Sequence, residues 1–310
     1  MSPQLQVRPS SVEDESRAEP RRLIVVGIRD VDRDQANLAW TLAEARRPDS
    51  VHVVHTFHPL VINGCTWDPV QRVRDGRRAA ARMVVSKTLQ RLRSVHPDLE
   101  LDGSAVAGRP VEVLLEFSQV VDLLVVGDHD PRGFNEGYTA RELARRCDCL
   151  LAVIPSDYQE NVPDPDHRAI TVLADDRGLT PVAVAVGVAE ARRQGTSLRI
   201  AQLWTDLRIG AEMSPEVIAD QQLQLDLALT DVREANPDVG IFTELLRQDA
   251  PTALAGLRTG SRAVIVTSRS RHLTPLLVRG NPGCGPTLVV PEPHRRPGTQ
   301  LPTPPREALA

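Results

Sequence analysis

Three histidines occur at intervals of three residues in the segment HVVHTFH: His52, His55 and His58. Imidazoles are common metal ligands, so this spacing suggests a metal site. The surrounding apolar residues predict a strand, however, and strand side chains three residues apart point to opposite faces. We therefore expect one buried, one exposed and one loop histidine, and no metal site. His55 and His129 lie near the ends of predicted strands, where they can contact a ligand or respond to pH.

Covalent chemistry has few candidates in this sequence. Lys87 is the single lysine and falls in a predicted amphipathic helix, and there is no GxxxxGK[ST] phosphate loop and no GxSxG nucleophile elbow. Asp175–Asp176 resembles the acidic pair of a receiver domain, but the late lysine that such a domain needs is missing. Cys147 and Cys149 are expected to be partly buried small hydrophobes. The four cysteines are scattered and form no CxxC pattern, which argues against a disulfide framework or a zinc site. We predict that the chain is not an enzyme.

The overall composition excludes several other classes of protein. The net charge of −4 does not favour a nucleic-acid partner, which usually requires a basic patch. No apolar run approaches the roughly 20 residues of a membrane helix, and the first twenty residues do not resemble a signal peptide. The expected location is the cytoplasm, with no membrane partner.

The 310 residues divide into two similar segments. Each segment begins with an apolar stretch and closes with an apolar stretch that ends in proline. The repeat is roughly 140 residues long, which indicates a duplicated domain. The predicted domains are residues 21–155 and 168–293. The predicted unstructured parts are an N-terminal tail, a linker and a Pro-rich tail, at 1–20, 156–167 and 294–310.

Alternating apolar runs and helical patterns predict an α/β fold. The runs are continuous, as is typical of parallel strands covered on both faces. In the first half they are 23–28, 50–57, 99–107, 121–127 and 149–154. Residues 181–193 alternate valine with smaller residues, like a strand, but we predict a helix because the matching first-half segment is helical. Ligands of doubly wound sheets bind beyond the carboxyl ends of the strands at the switch point, near the first, second and fourth strands.

Four stretches of the sequence contain the motifs of a known family. LIVVGIRDVDRDQANLAWTLAEAR has an apolar strand followed by a helix with Trp40, and is similar to the opening of the universal stress protein family. DLLVVGDHDPRGFNEGYTARELARRCDCLLAVIP, at 122–155, is similar to the closing signature G-x2-G-x9-G-[ST]. AITVLADDRG at 169–178 and AVIVTSRSRHLTPLLVRGNPGCGPTLVVP at 263–291 repeat the plan. The resemblance implies two doubly wound, parallel, five-stranded, Rossmann-like domains that bind adenine nucleotides.

In the first half the resemblance implies an ATP site, with magnesium entering only as a nucleotide-bound ion. Glycines let phosphates approach the backbone, and a helix N-terminus attracts anions. Arg29 replaces the family acid, with Asp30 beside it, and Tyr138 stands where Ser or Thr is expected. Asp128 and Asp130 put negative charge where phosphates would lie. The implied site residues are Asp30, His55, Gly127, Arg132, Gly133, Gly137 and Thr139.

The second half retains a different part of the site. Asp175 matches the family acid, but Thr267-Ser268-Arg269-Ser270 has no glycine at its head. Ser268 and Ser270 can contact a phosphate or be phosphorylated, and we expect them in a solvated surface loop.

The functional hypothesis is a stress-response binding or signalling module that binds ATP or a related adenine nucleotide in the first half. The alternative is a nucleotide-independent interaction or assembly module with vestigial sites. A slow ATPase would need a water-positioning base and a metal-bound triphosphate, and Asp128, Asp130 and Asp175 could coordinate its Mg²⁺. Protein partners are expected, and the last strands would form either a homodimer or an intramolecular pairing of the two domains.

Overall fold

The computed structural model of the chain describes residues 21–58, 68–128, 138–159, 169–174, 179–203, 215–246, 250–270 and 285–291. The first half contains the elements β1 (Leu23–Ile28), α1 (Gln35–Glu44), β2 (Ser50–Phe57), α2 (Asp68–Val95), β3 (Glu100–Ala107), α3 (Pro110–Phe117), β4 (Leu123–Asp128), α4 (Tyr138–Arg146) and β5 (Leu150–Pro155). The second contains β6 (Ile170–Ala174), α5 (Pro181–Gln194), β7 (Leu198–Leu203), α6 (Pro215–Ala228), α7 (Thr230–Ala235), β8 (Ile241–Leu246), α8 (Ala250–Gly260), β9 (Ala263–Thr267) and β10 (Thr287–Val290).

The ten strands form one sheet in the order β3-β2-β1-β4-β5-β10-β9-β6-β7-β8. Within each half all pairings are parallel, and the strand order reverses between β1 and β4 and between β6 and β9. The predicted doubly wound α/β fold is confirmed, with the two five-stranded sheets joined into one.

The joint between the halves is antiparallel. β10 pairs with β5, so that Thr287 lies opposite Val153 and Val289 opposite Leu151. This is the intramolecular pairing of last strands that the sequence analysis gave as one of two alternatives. Because the strands of the two halves run in opposite directions, the carboxyl ends of β1 and β4 lie at the opposite edge of the sheet from those of β6 and β9.

The helix predicted at 181–193 is present as α5, despite the alternating valines. Pro181 is well tolerated in the first turn, and Gly195 ends the helix in the left-handed conformation with φ 62°. Val184 and Val188, four residues apart, are buried, whereas Val182 is 45% exposed. The core packing of one helical face therefore overrides the local strand pattern.

The core lies on both faces of the sheet and runs through both halves. One apolar cluster joins α1, α2, α5 and α6 to the sheet, and the other joins α3, α4 and α8 to its opposite face. Trp40 is buried in the first cluster. Tyr158 packs against the same cluster, and its backbone N–H donates to the Pro155 carbonyl. The start of the predicted linker is thus ordered, and residues 160–167 lie outside the described ranges.

A buried ion cluster also ties the halves together on the face of α1 and α5. The Arg193 guanidinium contacts the carboxylates of Glu44 and Glu190, and its Nη1 donates to the Glu44 carbonyl at 3.1 Å. Arg22 reaches Glu44 from the other side at 3.3 Å. Glu44 and Glu190 occupy equivalent positions, ten residues after Asp34 and Thr180, which precede the two helices. Burial raises the pKa of Glu44, and the nearby Glu190 raises it further.

Removal of Arg193 should destabilise the fold strongly, because two buried carboxylates would lose their shared cation. We expect Arg193→Ala to lower the free energy of unfolding by about 3–5 kcal/mol in urea denaturation. Arg192→Ala is the matched control: Arg192 is its exposed neighbour, paired with Asp238, and its loss should leave stability near that of the parent chain.

Adding Glu44→Gln to Arg193→Ala should recover part of the loss, since it removes an uncompensated buried charge. Equal unfolding free energies for the Arg193 and Arg192 variants would show that the cluster does not hold the halves together.

Candidate functional site

The loop after β1 is fixed by one buried carboxylate. Asp34 Oδ2 accepts hydrogen bonds from the backbone N–H groups of Arg29 at 2.7 Å and Asp30 at 3.0 Å, and Asn37 Nδ2 donates to Asp34 Oδ1 at 3.1 Å. Burial raises the pKa of Asp34, and the two backbone N–H donors partly offset that rise. Asp34 therefore sets the path of the chain at the carboxyl end of β1.

Two of the predicted site residues lie on this loop and beside it. Asp30 is exposed, and its Oδ1 accepts the Asp32 N–H at 2.8 Å. His55, at the end of β2, places its Nδ1 3.1 Å from the Ile28 carbonyl. A carbonyl can only accept, so His55 Nδ1 carries the proton, and in the neutral ring Nε2 remains an acceptor. The structure thus brings Asp30 and His55 to the same edge of the sheet.

The end of β4 contains Gly127 and Asp128. Gly127 is half-buried and lies opposite Ile154 of β5. Asp128 is 2% exposed; its Oδ1 accepts the Ser156 N–H at 2.8 Å and its Oδ2 lies 3.4 Å from Arg258 Nη2. The expectation that Asp128 puts charge among phosphates was wrong, because its carboxylate faces the joint between the halves.

The partner of Asp128 comes from the opposite half. Arg258 lies near the end of α8 and is also 2% exposed. The antiparallel pairing of β5 with β10 brings the amino-terminal edge of the second half, where α8 ends, beside the carboxyl edge of the first. The Asp128–Arg258 ion pair is therefore a consequence of the orientation of the joint.

The predicted phosphate-binding loop falls partly within the described residues. Thr139 is half-buried at the second position of α4, after the exposed Tyr138. A helix of nine residues thus starts at the point where the glycine motif ends. Three predicted site residues of this loop lie outside the described ranges: Arg132, Gly133 and Gly137. His129 and Asp130 lie outside them as well.

The equivalent edge of the second half is closed by a short turn. Thr267 lies opposite Val290, as Gly127 lies opposite Ile154, so the two positions are equivalent. The Ser268 N–H donates to the Val290 carbonyl at 3.0 Å and the Ser270 N–H to the Thr267 carbonyl at 3.1 Å. Asp175 lies outside the described part of the chain.

Ser270 is not on a surface loop, and that expectation was wrong. Ser270 is 3% exposed, and its Oγ lies 3.2 Å from the Thr267 Oγ1. The turn folds the hydroxyl inward against the end of β9. Ser268 is half-buried.

The remaining histidines and cysteines are held by local contacts. His52 is buried, with Nε2 2.9 Å from Ser104 Oγ and Nδ1 3.6 Å from Asp102, whose side chain is 68% exposed. Burial lowers the pKa of His52. A carboxylate open to water cannot orient the ring as a catalytic triad needs, so we interpret this as a cross-strand contact. His58 is exposed, and Cys147 and Cys149 are buried free thiols, as expected.

Two residues of this region were missed by the sequence analysis. Asp34 carried a usable signal, since an aspartate directly before a predicted helix is typical of an N-cap. Its carboxylate accepts from the backbone of the preceding loop and from the Asn37 side chain, and it makes no capping bond to a backbone N–H of the helix. Arg258 carried no local signal, because its partner is 130 residues away.

Comparison with known proteins agrees with this architecture. Residues 20–155 match the family model described as Universal stress protein family. Universal stress protein Rv2005c of Mycobacterium tuberculosis is 26% identical over 266 residues, which cover 80% of this chain and 87% of that protein. Universal stress protein Rv2623 of the same species is 24% identical over 270 residues, covering 80% and 86%.

Solved structures share the fold at low sequence identity. A universal stress protein from Archaeoglobus fulgidus superposes with a TM-score of 0.58 at 10% identity, covering 87% of this chain and 96% of its own. The cytoplasmic domain of a prokaryotic cation chloride cotransporter gives 0.52 at 11% identity, covering 87% and 95%. These similarities concern the fold alone.

Protonation of Asp128 should couple stability to pH. Burial raises the pKa of Asp128 to about 7, although Arg258 and the Ser156 N–H oppose the rise. The folded chain then holds this proton more tightly than the unfolded chain, so the contribution of Asp128 to stability is full below about pH 4 and declines as the pH rises through about 7.

Asp128→Asn should therefore flatten the pH dependence of unfolding between about pH 4 and 7, by at most ~1.4 kcal/mol per pH unit. Urea denaturation at several pH values measures this, with Asp98→Asn, an exposed carboxylate, as the control. If the free energy of unfolding of the parent chain exceeded that of Asp128→Asn by a margin that grows with pH, the attraction of Arg258 would outweigh the effect of burial on the Asp128 pKa.

Proposed function

We propose that the chain is a tandem universal stress protein, a stress-response binding or signalling module that binds ATP or a related adenine nucleotide in its first half. The family match over residues 20–155 supports this assignment for the first half. For the second half, the same strand order and relatives aligned over 80% of the chain support it.

The two domains would be residues 21–155 and 168–293, and the expected location is the cytoplasm. Among the described helices none is long and apolar enough to cross a bilayer.

The orientation of the Asp128 carboxylate is the observation that carries the nucleotide proposal. An ionised aspartate directed at the site would repel a triphosphate, but Asp128 is buried against Arg258 and Ser156. Of the two charges that argued against binding, that of Asp128 is thereby directed away from the phosphate path, and Asp130 lies outside the described residues. At Gly127, the residue before Asp128, the absence of a Cβ lets a phosphate approach the backbone.

The other candidate residues have roles that follow from their chemistry. Asp30 and His55 Nε2 would accept hydrogen bonds from the base or ribose, on a loop held by Asp34. Gly133, Gly137 and Arg132 would surround the phosphates, and Thr139 would add the amino-terminal end of α4. Magnesium would enter as a nucleotide-bound ion.

In the second half, nucleotide binding would be lost. Thr267 replaces the glycine, and its hydroxyl contacts the buried Ser270. Asp175 keeps the family acid without a matching phosphate loop, so one nucleotide per chain is expected. Ser270 is enclosed, which leaves Ser268 as the accessible hydroxyl of this turn.

A role without catalysis fits the first-half site better than an ATPase. Asp128, one of the carboxylates that could hold Mg²⁺, is occupied by Ser156 and Arg258. The alternative role, a nucleotide-independent interaction or assembly module, is favoured by the closed turn at Thr267–Ser270 in the second half.

Calorimetric titration of ATP and Mg²⁺ into the full chain, freed of co-purified nucleotide, tests the proposal. We expect one saturable site with a Kd at or below about 100 µM. Gly127→Val should abolish binding, because its side chain enters the phosphate path. Thr267→Val, at the equivalent position of the second half, is the control and should bind like the parent chain.

Absence of both heat and co-purified nucleotide would support the interaction-module alternative. Loss of binding in Thr267→Val with retention in Gly127→Val would place the site in the second half. Mg²⁺-dependent phosphate release above a blank, abolished by Gly127→Val, would make the chain an ATPase.

A further inference from the structure

Helix α2 presents a strongly basic outer face. Its 28 residues include eight Arg or Lys and two Asp. Arg72, Arg78 and Arg82 are exposed and lie on one side of the helix, and Met83 beside them is 58% exposed. Among the described residues none of these three arginines forms a salt bridge. We call Arg72, Arg78, Arg82 and Met83 the basic face.

The equivalent helices of the second half present the opposite charge. Helices α6 and α7 contain five Asp or Glu and one Arg. Glu216 and Asp220 are exposed one turn apart, and Leu223 and Leu227 continue the same side at 54% and 59% exposure. Neither of the two acids forms a salt bridge within the described ranges. We call Glu216, Asp220, Leu223 and Leu227 the acidic face.

The two faces cannot satisfy each other within one chain. α2 packs on β2 and β3, at one end of the ten-stranded sheet, and α6 packs on β8, at the other end. The exposed Asp75 lies among the three arginines of the basic face, which keeps an excess of positive charge. Each face combines its excess charge with exposed apolar side chains, and exposed apolar residues that adjoin one another can mark an interface.

We propose that the basic face of one chain docks on the acidic face of a second copy. Opposite charges would surround an apolar centre of Met83 against Leu223 and Leu227. Because the contact joins two different surfaces, it is heterologous, and the basic and acidic faces at the outer ends are available to bind further copies head-to-tail.

Two observations favour a second copy over a polyanion such as DNA. The chain carries both complementary surfaces, and its net charge is −4, which disfavours a nucleic-acid partner. The last strands, a possible dimer surface, are already paired with each other inside the chain. The contact does not involve the proposed nucleotide site and should form without nucleotide.

Sedimentation velocity at several concentrations tests the proposal with the full chain. Arg78→Glu/Arg82→Glu makes both faces acidic, and Glu216→Arg/Asp220→Arg makes both basic. Each variant alone should self-associate about tenfold or more weakly than the parent, whereas an equimolar mixture of the two should associate. Combining all four substitutions in one chain should restore self-association.

The control for net charge is Arg109→Glu/Arg146→Glu, at two exposed arginines outside both faces, which should associate like the parent chain. Far-ultraviolet circular dichroism checks that each variant is folded. Parent association should weaken about tenfold or more between about 50 mM and about 500 mM salt, because exposed charges are screened.

Three outcomes would overturn the proposal: a monomeric parent chain at low salt, reversed variants that each associate as the parent does, or a mixture that stays monomeric. Retention of DNA or anionic vesicles by a monomeric parent, lost in Arg78→Glu/Arg82→Glu, would identify a polyanion as the partner instead.

Discussion

The antiparallel pairing of β5 with β10 is the constraint on which the rest of this molecule depends. It joins two parallel five-stranded sheets into one sheet and covers two strand edges that would otherwise expose unpaired backbone groups. It also reverses the second half relative to the first. The two switch points therefore lie at opposite edges of the sheet, and one ligand cannot contact both.

The same reversal decides which charged side chains meet. Arg258 of the second half lies against Asp128 of the first, and Arg193 lies between the equivalent carboxylates Glu44 and Glu190. Buried ion pairs are weak evidence of stability but break at a high cost, because the remaining charge has no water around it. These contacts make the relative placement of the halves specific, in addition to the apolar clusters that run through both.

The two halves share a fold and differ in surface chemistry. Gly127 corresponds to Thr267, Asp34 to Thr180, and the basic α2 to the acidic α6 and α7. Core positions of equivalent elements must satisfy the same packing, so they stay apolar, whereas loop and outer-face positions are free to diverge. This divergence assigns the proposed nucleotide site to one half and gives the two ends of the sheet opposite charge.

The sequence by itself determined the duplicated α/β fold, because continuous apolar runs and helical spacing are local signals that survive in each element. It predicted the five strands of the first half to within about two residues at each end, and a helix at 181–193 once the two halves were compared. It predicted a site at the carboxyl ends of the strands, which stays a prediction, and Asp30, His55 and Gly127 lie at or near that edge in the structure. It could not assign Asp128, which pattern alone put among phosphates, nor Ser270, which pattern alone put in solvent. Only the tertiary structure decided these two positions. The partner of Asp128 is Arg258, which lies 130 residues away in the sequence and is brought close by the antiparallel joint. Ser270 is buried because the turn after β9 folds its hydroxyl inward.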